Sequence, residues 1–244
     1  MSAANLSPSD KLYAADLVAE LVRQGALVRG VTTDSRQVNP GTVFAAYPGL
    51  TQDGRNHIAA AIAAGASGVL WETEDFAWDD AVKLPNVAVH RLKQRISAIA
   101  AKIYGEPSND LWTIGVTGTN GKTSCTHWLA QALTRAGRKA AVMGTLGNGV
   151  PPGLVPSGNT TGDAARIQAT LAEYRAQGVK AVAMEVSSEG LDQGRERSQV
   201  RHWRADQSLA RPSGLSRRHG ALCGGEGASV FLAGIEICRA ESGR

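Results

Sequence analysis

The chain has 244 residues, enough for one large or two modest domains. Hydrophobic residues make up 43% and charged residues 20%, a composition typical of a folded globular protein. The apolar runs are too short to span a bilayer, the first residues lack the pattern of a secretion signal, and three cysteines form no recognisable disulfide framework. We therefore expect a cytoplasmic protein without a membrane partner.

The net charge of +4 belongs to the C-terminal segment. Residues 197–244 carry eight Arg and four acidic residues, which gives 8 − 4 = +4 and leaves residues 1–196 neutral overall. A protein that neutralises a phosphate backbone needs a basic face in its folded body. We therefore do not expect the protein to bind nucleic acid. We also expect it to be a monomer.

Strands and helices alternate in the first half of the chain. Helical spacing predicts helices over 9–25, 57–66 and 93–105, and short apolar runs predict strands over 43–49, 67–72 and 86–92. This pattern indicates an α/β domain, to which we assign residues 1–108. The polar segment 106–110 is typical of a linker.

A second α/β unit begins with a strand over 111–118. Helices are predicted over 123–135 and 163–178, strands over 139–145 and 180–187, and a long loop over 151–162. The alternation predicts a mostly parallel sheet. Because helical and strand spacing both end after Arg195, we assign 109–198 to an incomplete P-loop domain and treat 199–244 as a tail that is not a domain.

The strongest motif is GVTGTNGKT at residues 115–123, between a predicted strand and a predicted helix. Such a loop presents backbone N–H groups and a helix N-terminus to a phosphate. Lys122 can reach the terminal phosphates and the Thr123 hydroxyl can ligate Mg²⁺. Val116 stands where the general pattern has its first glycine. The alternative is a glycine-rich turn with a solvated lysine, which the strand–loop–helix context disfavours.

This loop resembles that of the Mur ligases and of the related enzymes that elongate folates with glutamate. Five further segments occur in the order found in the UDP-N-acetylmuramoyl-tripeptide synthetase branch of the Mur ligase family: TTDSR (32–36), DGRNHI (53–58), MGT (143–145), NTTG (159–162) and MEVSSEGLDQGR (184–195). The resemblance implies an N-terminal UDP-substrate domain followed by an ATP-binding domain.

The resemblance also implies roles for individual residues. It places the ATP site at Gly118, Thr119, Asn120, Gly121, Lys122, Thr123 and Ser124. It places the UDP substrate at Thr33, Ser35, Asn159, Thr160, Thr161, Ser187, Gln193 and Arg195, with Leu50, Thr51 and Gln52 in a second substrate loop. Lys122 and Glu185 are the implied catalytic residues, and Thr123 and Glu185 the implied Mg²⁺ ligands.

Each assignment has an ordinary structural alternative. Asp34 and Ser35 could form a simple turn, Glu185 could be a strand-end acid, and residues 159–161 could be a surface loop. The order and spacing of the whole set disfavour these alternatives. Glu189 departs from the family, which usually has His at this position.

The implied function is ATP-dependent amide-bond formation in peptidoglycan precursor synthesis. The γ-phosphoryl group of ATP passes to a carboxylate of UDP-N-acetylmuramoyl-L-alanyl-D-glutamate, and the amine of an amino acid then attacks the acyl phosphate. We expect meso-diaminopimelate as that amino acid, with L-lysine as the alternative. Another Mur ligase, a folylpolyglutamate synthetase and a non-catalytic nucleotide-sugar-binding fragment are the competing interpretations.

The segment after Arg195 lacks the family's continuation, which is close to FDxxxFTNLSRDHLDYHG. Codons for residues 200–217 can be chosen that give FDIGVLTNLSRDHLDYH when they are translated one nucleotide later. We therefore expect a slip of the reading frame between Arg195 and Val200, with a divergent natural C-terminus as the alternative. The slip predicts that residues 199–244 add no strand to the sheet and that the 244-residue chain is inactive as a ligase.

Overall fold

The computed structural model describes residues 13–49, 52–117, 120–156 and 163–186, together with the backbone of 229–232 and 235–238. The chain divides into two compact units, one of Met1–Glu106 with Asp163–Ala169 and the other of Pro107–Gly162 with Thr170–Arg244. The three-part division into 1–108, 109–198 and 199–244 stays a prediction. None of the described helices is long and apolar enough to cross a membrane.

The first unit is built on a four-stranded parallel sheet. Its strands are β1 (Gly30–Thr32), β2 (Thr42–Ala46), β3 (Gly68–Glu72) and β4 (Asn86–Val89), and they neighbour one another in chain order. Its helices are α1 (Ala14–Arg23), α2 (Ile58–Ala63) and α3 (Leu92–Ile103). The predicted α/β class is confirmed. Strand β1 was not predicted, because three residues are too few to show a periodic pattern.

The side chains of β2 alternate between two hydrophobic clusters, because successive residues of a strand face opposite sides of the sheet. Val43 lies in one cluster with Leu21 of α1 and Ile96 of α3. Phe44 lies in the other cluster with Ile58 of α2. Both faces of the sheet are therefore covered, as a parallel sheet requires, and the turns at its carboxyl edge rest on a packed core.

The second unit contains a seven-stranded sheet. Its strands are β5 (Trp112–Thr117), β6 (Ala140–Gly144), β7 (Gly147–Val150), β8 (Gly153–Val155), β9 (Ala181–Glu185), β10 (Ser229–Leu232) and β11 (Ile235–Cys238). They lie in the order β11-β10-β5-β9-β6-β7-β8, and β5, β9 and β6 form the parallel centre. Helix α4 (Lys122–Arg135) connects β5 to β6, and α5 (Ala164–Ala176) precedes β9.

Two segments of this unit differ from the sequence predictions. Strands β7 and β8 form an antiparallel hairpin, and β8 lies inside the stretch 151–162 that was predicted to be a loop. The hairpin strands are short and rich in glycine, so they carry no alternating apolar signal. The expected linker 106–110 contains a 3₁₀ turn, Pro107–Asn109, in which Pro107 and Ser108 are buried. Its polar composition gave no sign of that burial.

The edge of β5 is paired, contrary to expectation. The backbone of β10 pairs antiparallel with β5, with Val230 opposite Val116, and β11 pairs with β10 in turn. The prediction that the tail adds no strand to the sheet is therefore wrong. An unpaired edge strand is a template for any extended segment, and SVFL and IEIC contain the β-branched and aromatic residues that favour strands.

Candidate nucleotide and substrate sites

The carboxyl end of β1 leads into a hydrogen-bonded turn that contains the predicted substrate residues Thr33 and Ser35. Asp34 Oδ1 accepts from the backbone N–H and from Nε of Arg36 at 3.0 and 2.9 Å, and Oδ2 accepts from Nη2 at 2.9 Å. Asp34 thereby caps the 3₁₀ turn Ser35–Gln37. Hydrogen bonding from Arg36 lowers the pKa of Asp34 to about 2, so the carboxylate is ionised at neutral pH.

A turn with the same Asp-X-Arg pattern follows β2. Asp53 accepts from the backbone N–H of Arg55 at 2.9 Å, and its Oδ2 accepts from Nη2 at 2.6 Å. Arg55 also donates to the Glu74 carbonyl oxygen and lies 5.2 Å from the centroid of the Phe76 ring. Hydrogen bonding from the Arg55 side chain lowers the pKa of Asp53. The Arg55 side chain is only 10% exposed, so this arginine is part of the packed structure.

The second predicted substrate loop is closed at its base. The backbone N–H of Gly49 donates to the Gln52 carbonyl oxygen at 2.8 Å, and Pro48 forms a β-bridge with Asp53. A Cβ at Gly49 would lie 2.8 Å from that same carbonyl oxygen, so the close approach requires glycine. Gln52 is exposed. Leu50 and Thr51 lie outside the described residues.

The predicted phosphate loop connects β5 to α4. Gly121 has φ +80° and directly precedes the helix, a left-handed conformation that favours glycine. Lys122 is therefore the first helical residue, and Thr123 follows it, with its carbonyl oxygen accepting from the Thr126 hydroxyl at 2.9 Å. Asn120 and Ser124 are exposed on either side. Gly118 and Thr119 lie outside the described residues.

Glu185 ends β9 at the same edge of the sheet. It pairs with Val116 of β5 in the parallel register and is only 3% exposed. Its Oε1 accepts from the Thr145 backbone N–H at 3.1 Å, and its Oε2 accepts from the Thr145 hydroxyl at 2.8 Å. A Cβ at Gly144 would overlap the carboxylate, so glycine at the end of β6 leaves the space that Glu185 occupies. The acid is fixed in place on both oxygens.

The arrangement in this unit suits phosphate and a divalent cation. The carboxyl ends of parallel strands in an α/β sheet are where such proteins bind ligands, and the N-terminus of a following helix attracts anions. Here Lys122 begins that helix, and Glu185 ends the neighbouring strand. Among the described residues no group of three or more His, Cys, Asp and Glu is placed to hold a metal, so a cation here would need other oxygen ligands.

Several predicted residues fall outside the part of the chain that the structure describes. These are the substrate residues Asn159, Thr160, Thr161, Ser187, Gln193 and Arg195, and also Glu189, where the family pattern is broken. Sequence reasoning did not assign Thr145 to the site, although it belongs to the quoted MGT segment. The available signal was its position as the last residue of a strand predicted to belong to a parallel sheet.

Comparison with known families agrees with these features. The Mur ligase middle domain matches residues 116–204, and the catalytic domain of the Mur ligase family matches residues 27–104. The two matches together cover more than half of the chain. The chain belongs to the Mur ligase family, as its motifs predicted.

The similar proteins and the solved structure described next carry the name of one particular Mur ligase. UDP-N-acetylmuramoyl-L-alanyl-D-glutamate–2,6-diaminopimelate ligase from Nitrosomonas europaea is 45% identical over 195 residues, which are 80% of this chain and 37% of that protein. The protein of the same name from Ectopseudomonas mendocina is 52% identical over 171 residues, 70% of this chain and 35% of that protein. A solved structure of a ligase with this name matches with a TM-score of 0.58 and 34% identity, over 70% of this chain and 34% of that chain. The chain thus spans little more than a third of the length of these relatives.

Proposed function

We propose that the chain supplies the UDP-substrate and ATP-binding parts of a ligase that adds meso-diaminopimelate to UDP-N-acetylmuramoyl-L-alanyl-D-glutamate. The observation that carries the proposal is the pairing of Glu185 with the end of β5, from which the chain leads into the helix that begins at Lys122. The names of the relatives support this choice of substrates. The protein would act as a cytoplasmic monomer in peptidoglycan precursor synthesis.

The residues at the carboxyl edge of the sheet fit ATP with Mg²⁺. Mg²⁺ prefers oxygen ligands and usually combines one or two protein oxygens with phosphate oxygens and water. The Thr123 hydroxyl and the Glu185 carboxylate would provide the protein oxygens. Thr145 uses one acceptor position on each Glu185 oxygen, which leaves lone pairs for a cation. The cation would neutralise negative charge on the phosphates.

The chain's own residues would then stabilise phosphoryl transfer. Residues 118–124 would bind the ATP phosphates through backbone N–H groups and the helix N-terminus. The Lys122 ammonium would contact the γ-phosphate and offset charge as the group passes to the substrate carboxylate. The amine of diaminopimelate would attack the resulting acyl phosphate, form the amide and release inorganic phosphate.

The substrate would extend over several motifs. Thr33 and Ser35 would bind its UDP end, and residues 159–161 would bind the muramoyl part. Ser187, Gln193 and Arg195 would orient the peptide end. These roles rest on the match of each position to the Mur ligase motifs. Binding of folate in place of the UDP-linked substrate would favour the folylpolyglutamate alternative, and addition of L-lysine would change only the amino-acid substrate.

We also propose that the 244-residue chain has no ligase activity by itself. This proposal rests on the sequence of residues 200–217, for which codons can be chosen that give a sequence resembling the Mur ligases when they are translated one nucleotide later. The nucleotide sequence across codons 195–200 tests it directly. A verified gene that does not yield SRDHLDYHG one nucleotide along, or turnover by the 244-residue chain, would contradict it.

The binding proposal is tested by thermal unfolding of the chain with each nucleotide. A ligand that binds the native state raises the apparent stability by mass action. We expect UDP and Mg²⁺–ATP each to raise the melting temperature, and the two effects to occur independently. Absence of both shifts at millimolar nucleotide, in a chain with folded-state circular dichroism, would refute the proposed function.

A further inference from the structure

Asn148 of β7 connects the β6–β7 hairpin to the residues that hold Glu185. Its Oδ1 accepts from the backbone N–H of Gly144 at 3.2 Å. The next residue, Thr145, donates its backbone N–H and its hydroxyl to the two carboxylate oxygens of Glu185 at 3.1 and 2.8 Å. Hydrogen bonds therefore link Asn148, through Gly144 and Thr145, to the acid that is the proposed Mg²⁺ ligand.

The backbone around Asn148 is held closely on both sides. Asn148 lies in the middle strand of three, opposite Met143 of β6 and Val155 of β8. Gly147 precedes it with φ +124°, and a Cβ there would lie 2.6 Å from the Val155 carbonyl oxygen. A Cβ at Gly149 would also overlap the backbone of β8. The two glycines allow β8 to approach this closely, so the position of Asn148 is fixed between its partner strands.

The turn between β6 and β7 borders the space of the Glu185 carboxylate. Gly144 pairs with Gly147, and only Thr145 and Leu146 lie between them. A Cβ at Gly144 would overlap Glu185, so the turn backbone and the acid are in close contact. A displacement of Gly144 would therefore move the Thr145 donors relative to an acid that is only 3% exposed. Groups that orient the ligands of a metal affect how tightly the metal binds.

We propose that Asn148 is a positioning residue for the Mg²⁺ ligand Glu185 and acts on it through Gly144 and Thr145. The inference deepens the proposed function and rests on it, because that function assigns Glu185 to the binding of Mg²⁺–ATP. Asn148 itself would contact neither the cation nor the nucleotide. The competing explanation is that Asn148 only stabilises the hairpin, since asparagine side chains commonly hydrogen-bond to nearby backbone groups in turns.

The test compares two substitutions that nearly keep the shape of the side chain. Asn148→Leu removes the acceptor oxygen, whereas Asn148→Asp keeps an acceptor for the Gly144 N–H. Val150→Ala is the control for a loss of stability in the same strand, because Val150 is the last residue of β7 and pairs with Gly153. Asn148→Ala takes the place of Asn148→Leu if the leucine variant does not fold.

The measurement is calorimetric titration of the 244-residue chain and its variants with ATP at a series of Mg²⁺ concentrations. Asn148→Leu should raise the Mg²⁺ concentration needed for half-maximal ATP affinity by about fivefold, the scale of one neutral hydrogen bond. Asn148→Asp should keep it within about twofold of the unsubstituted chain, and Val150→Ala should not change it. UDP binding should be the same in all variants, because Thr33 and Ser35 belong to the first unit.

A second measurement asks whether Asn148 acts through Glu185. Two substitutions that affect the same interaction are not additive, whereas independent ones are. In a chain that already carries Glu185→Gln, Asn148→Leu should therefore leave the Mg²⁺ dependence of ATP binding unaltered. A residue that only stabilises the hairpin would produce the same change in both backgrounds.

The outcomes separate the inference from the function on which it rests. If ATP binding by the unsubstituted chain does not depend on Mg²⁺, the proposed function fails and the inference fails with it. If the dependence is present and a folded Asn148→Leu variant retains it unchanged, only the inference is overturned. Equal shifts in Asn148→Leu and Val150→Ala, or an undiminished shift in the Glu185→Gln background, also overturn it, because Asn148 would then support only the hairpin.

Discussion

Thr145 holds both oxygens of the Glu185 carboxylate, through its backbone N–H at 3.1 Å and its hydroxyl at 2.8 Å. The relationship joins the end of β6 to the end of β9 and fixes the acid that we propose as an Mg²⁺ ligand. Glu185 would otherwise be a nearly buried carboxylate with fewer donors, which is unfavourable. Thr145 is therefore expected to support both stability and metal binding.

Replacing Thr145 by valine keeps the side-chain shape and removes the hydroxyl. We expect a loss of about 1 to 2 kcal/mol in the free energy of unfolding, because a hydrogen bond to a charged group is lost. We also expect Mg²⁺-dependent ATP binding to weaken several-fold, since only the backbone N–H of residue 145 then holds Glu185, through Oε1. Urea unfolding and ATP titrations at several Mg²⁺ concentrations measure the two effects. Unchanged Mg²⁺ dependence in Thr145→Val would contradict the positioning role.

Gly144→Ala tests the space that Glu185 occupies. A Cβ there would overlap the carboxylate, so the acid or the strand must move, at a cost of about 1 to 3 kcal/mol in the free energy of unfolding. Gly153→Ala is the matched control, because its Cβ would lie 3.5 Å from the Val150 carbonyl oxygen, an ordinary contact. Chemical denaturation of both variants gives the comparison. Equal stabilities would mean that the packing around Glu185 is looser than described.

The Lys122→Ala variant should distinguish the binding of Mg²⁺–ATP from the binding of UDP. The lysine begins α4 and is proposed to contact only ATP phosphates, so its removal should abolish stabilisation by Mg²⁺–ATP while UDP still raises the melting temperature. Lys139→Ala is a suitable control, because Lys139 Nζ donates to the Gln177 carbonyl oxygen outside the proposed site. Thermal unfolding of both variants with each nucleotide checks the prediction. An unaltered ATP shift in Lys122→Ala would remove the lysine from the site.

Protonation of Asp34 should lower the free energy of unfolding of the chain at acidic pH. The pKa of Asp34 falls from 3.8 to about 2 on folding, so its contribution to stability is present above about pH 4 and is lost as the pH falls through 2. Asp34→Asn should lower the free energy of unfolding by about 1 kcal/mol near neutral pH, the scale of a partly exposed ion pair. Its stability should also change less between pH 4 and pH 2. A parallel pH profile for variant and unsubstituted chain would contradict this assignment.

The sequence predicted the parts of the fold that carry a periodic signal. Helix α3 and strand β3 were found within a few residues of their observed ends, because amphipathic spacing and β-branched runs are local properties. Strand β7 was missed because it is short and rich in glycine, and β10 was missed because it pairs with β5, which is distant in sequence. An edge strand such as β5 can recruit a segment whose own pattern is weak.

Parts of the candidate site could be predicted where a motif residue meets a requirement of the local backbone. Gly121 needs a positive φ before α4, and that need is visible as the glycine of GTNGKT. The Thr145–Glu185 contact was not predictable, because the two residues are forty positions apart and meet only through the parallel register of β6 and β9. The different surroundings of Arg36 and Arg55 were likewise hidden, since both belong to the same Asp-X-Arg pattern.

The measurement that tests the account most directly is calorimetric titration of the 244-residue chain with UDP-N-acetylmuramoyl-L-alanyl-D-glutamate. We predict saturable binding to a single site, displaced by UDP and unaffected by folate, because the turn with Thr33 and Ser35 would bind the UDP end. A folded chain that does not bind this ligand, or one in which folate displaces it, would contradict the account.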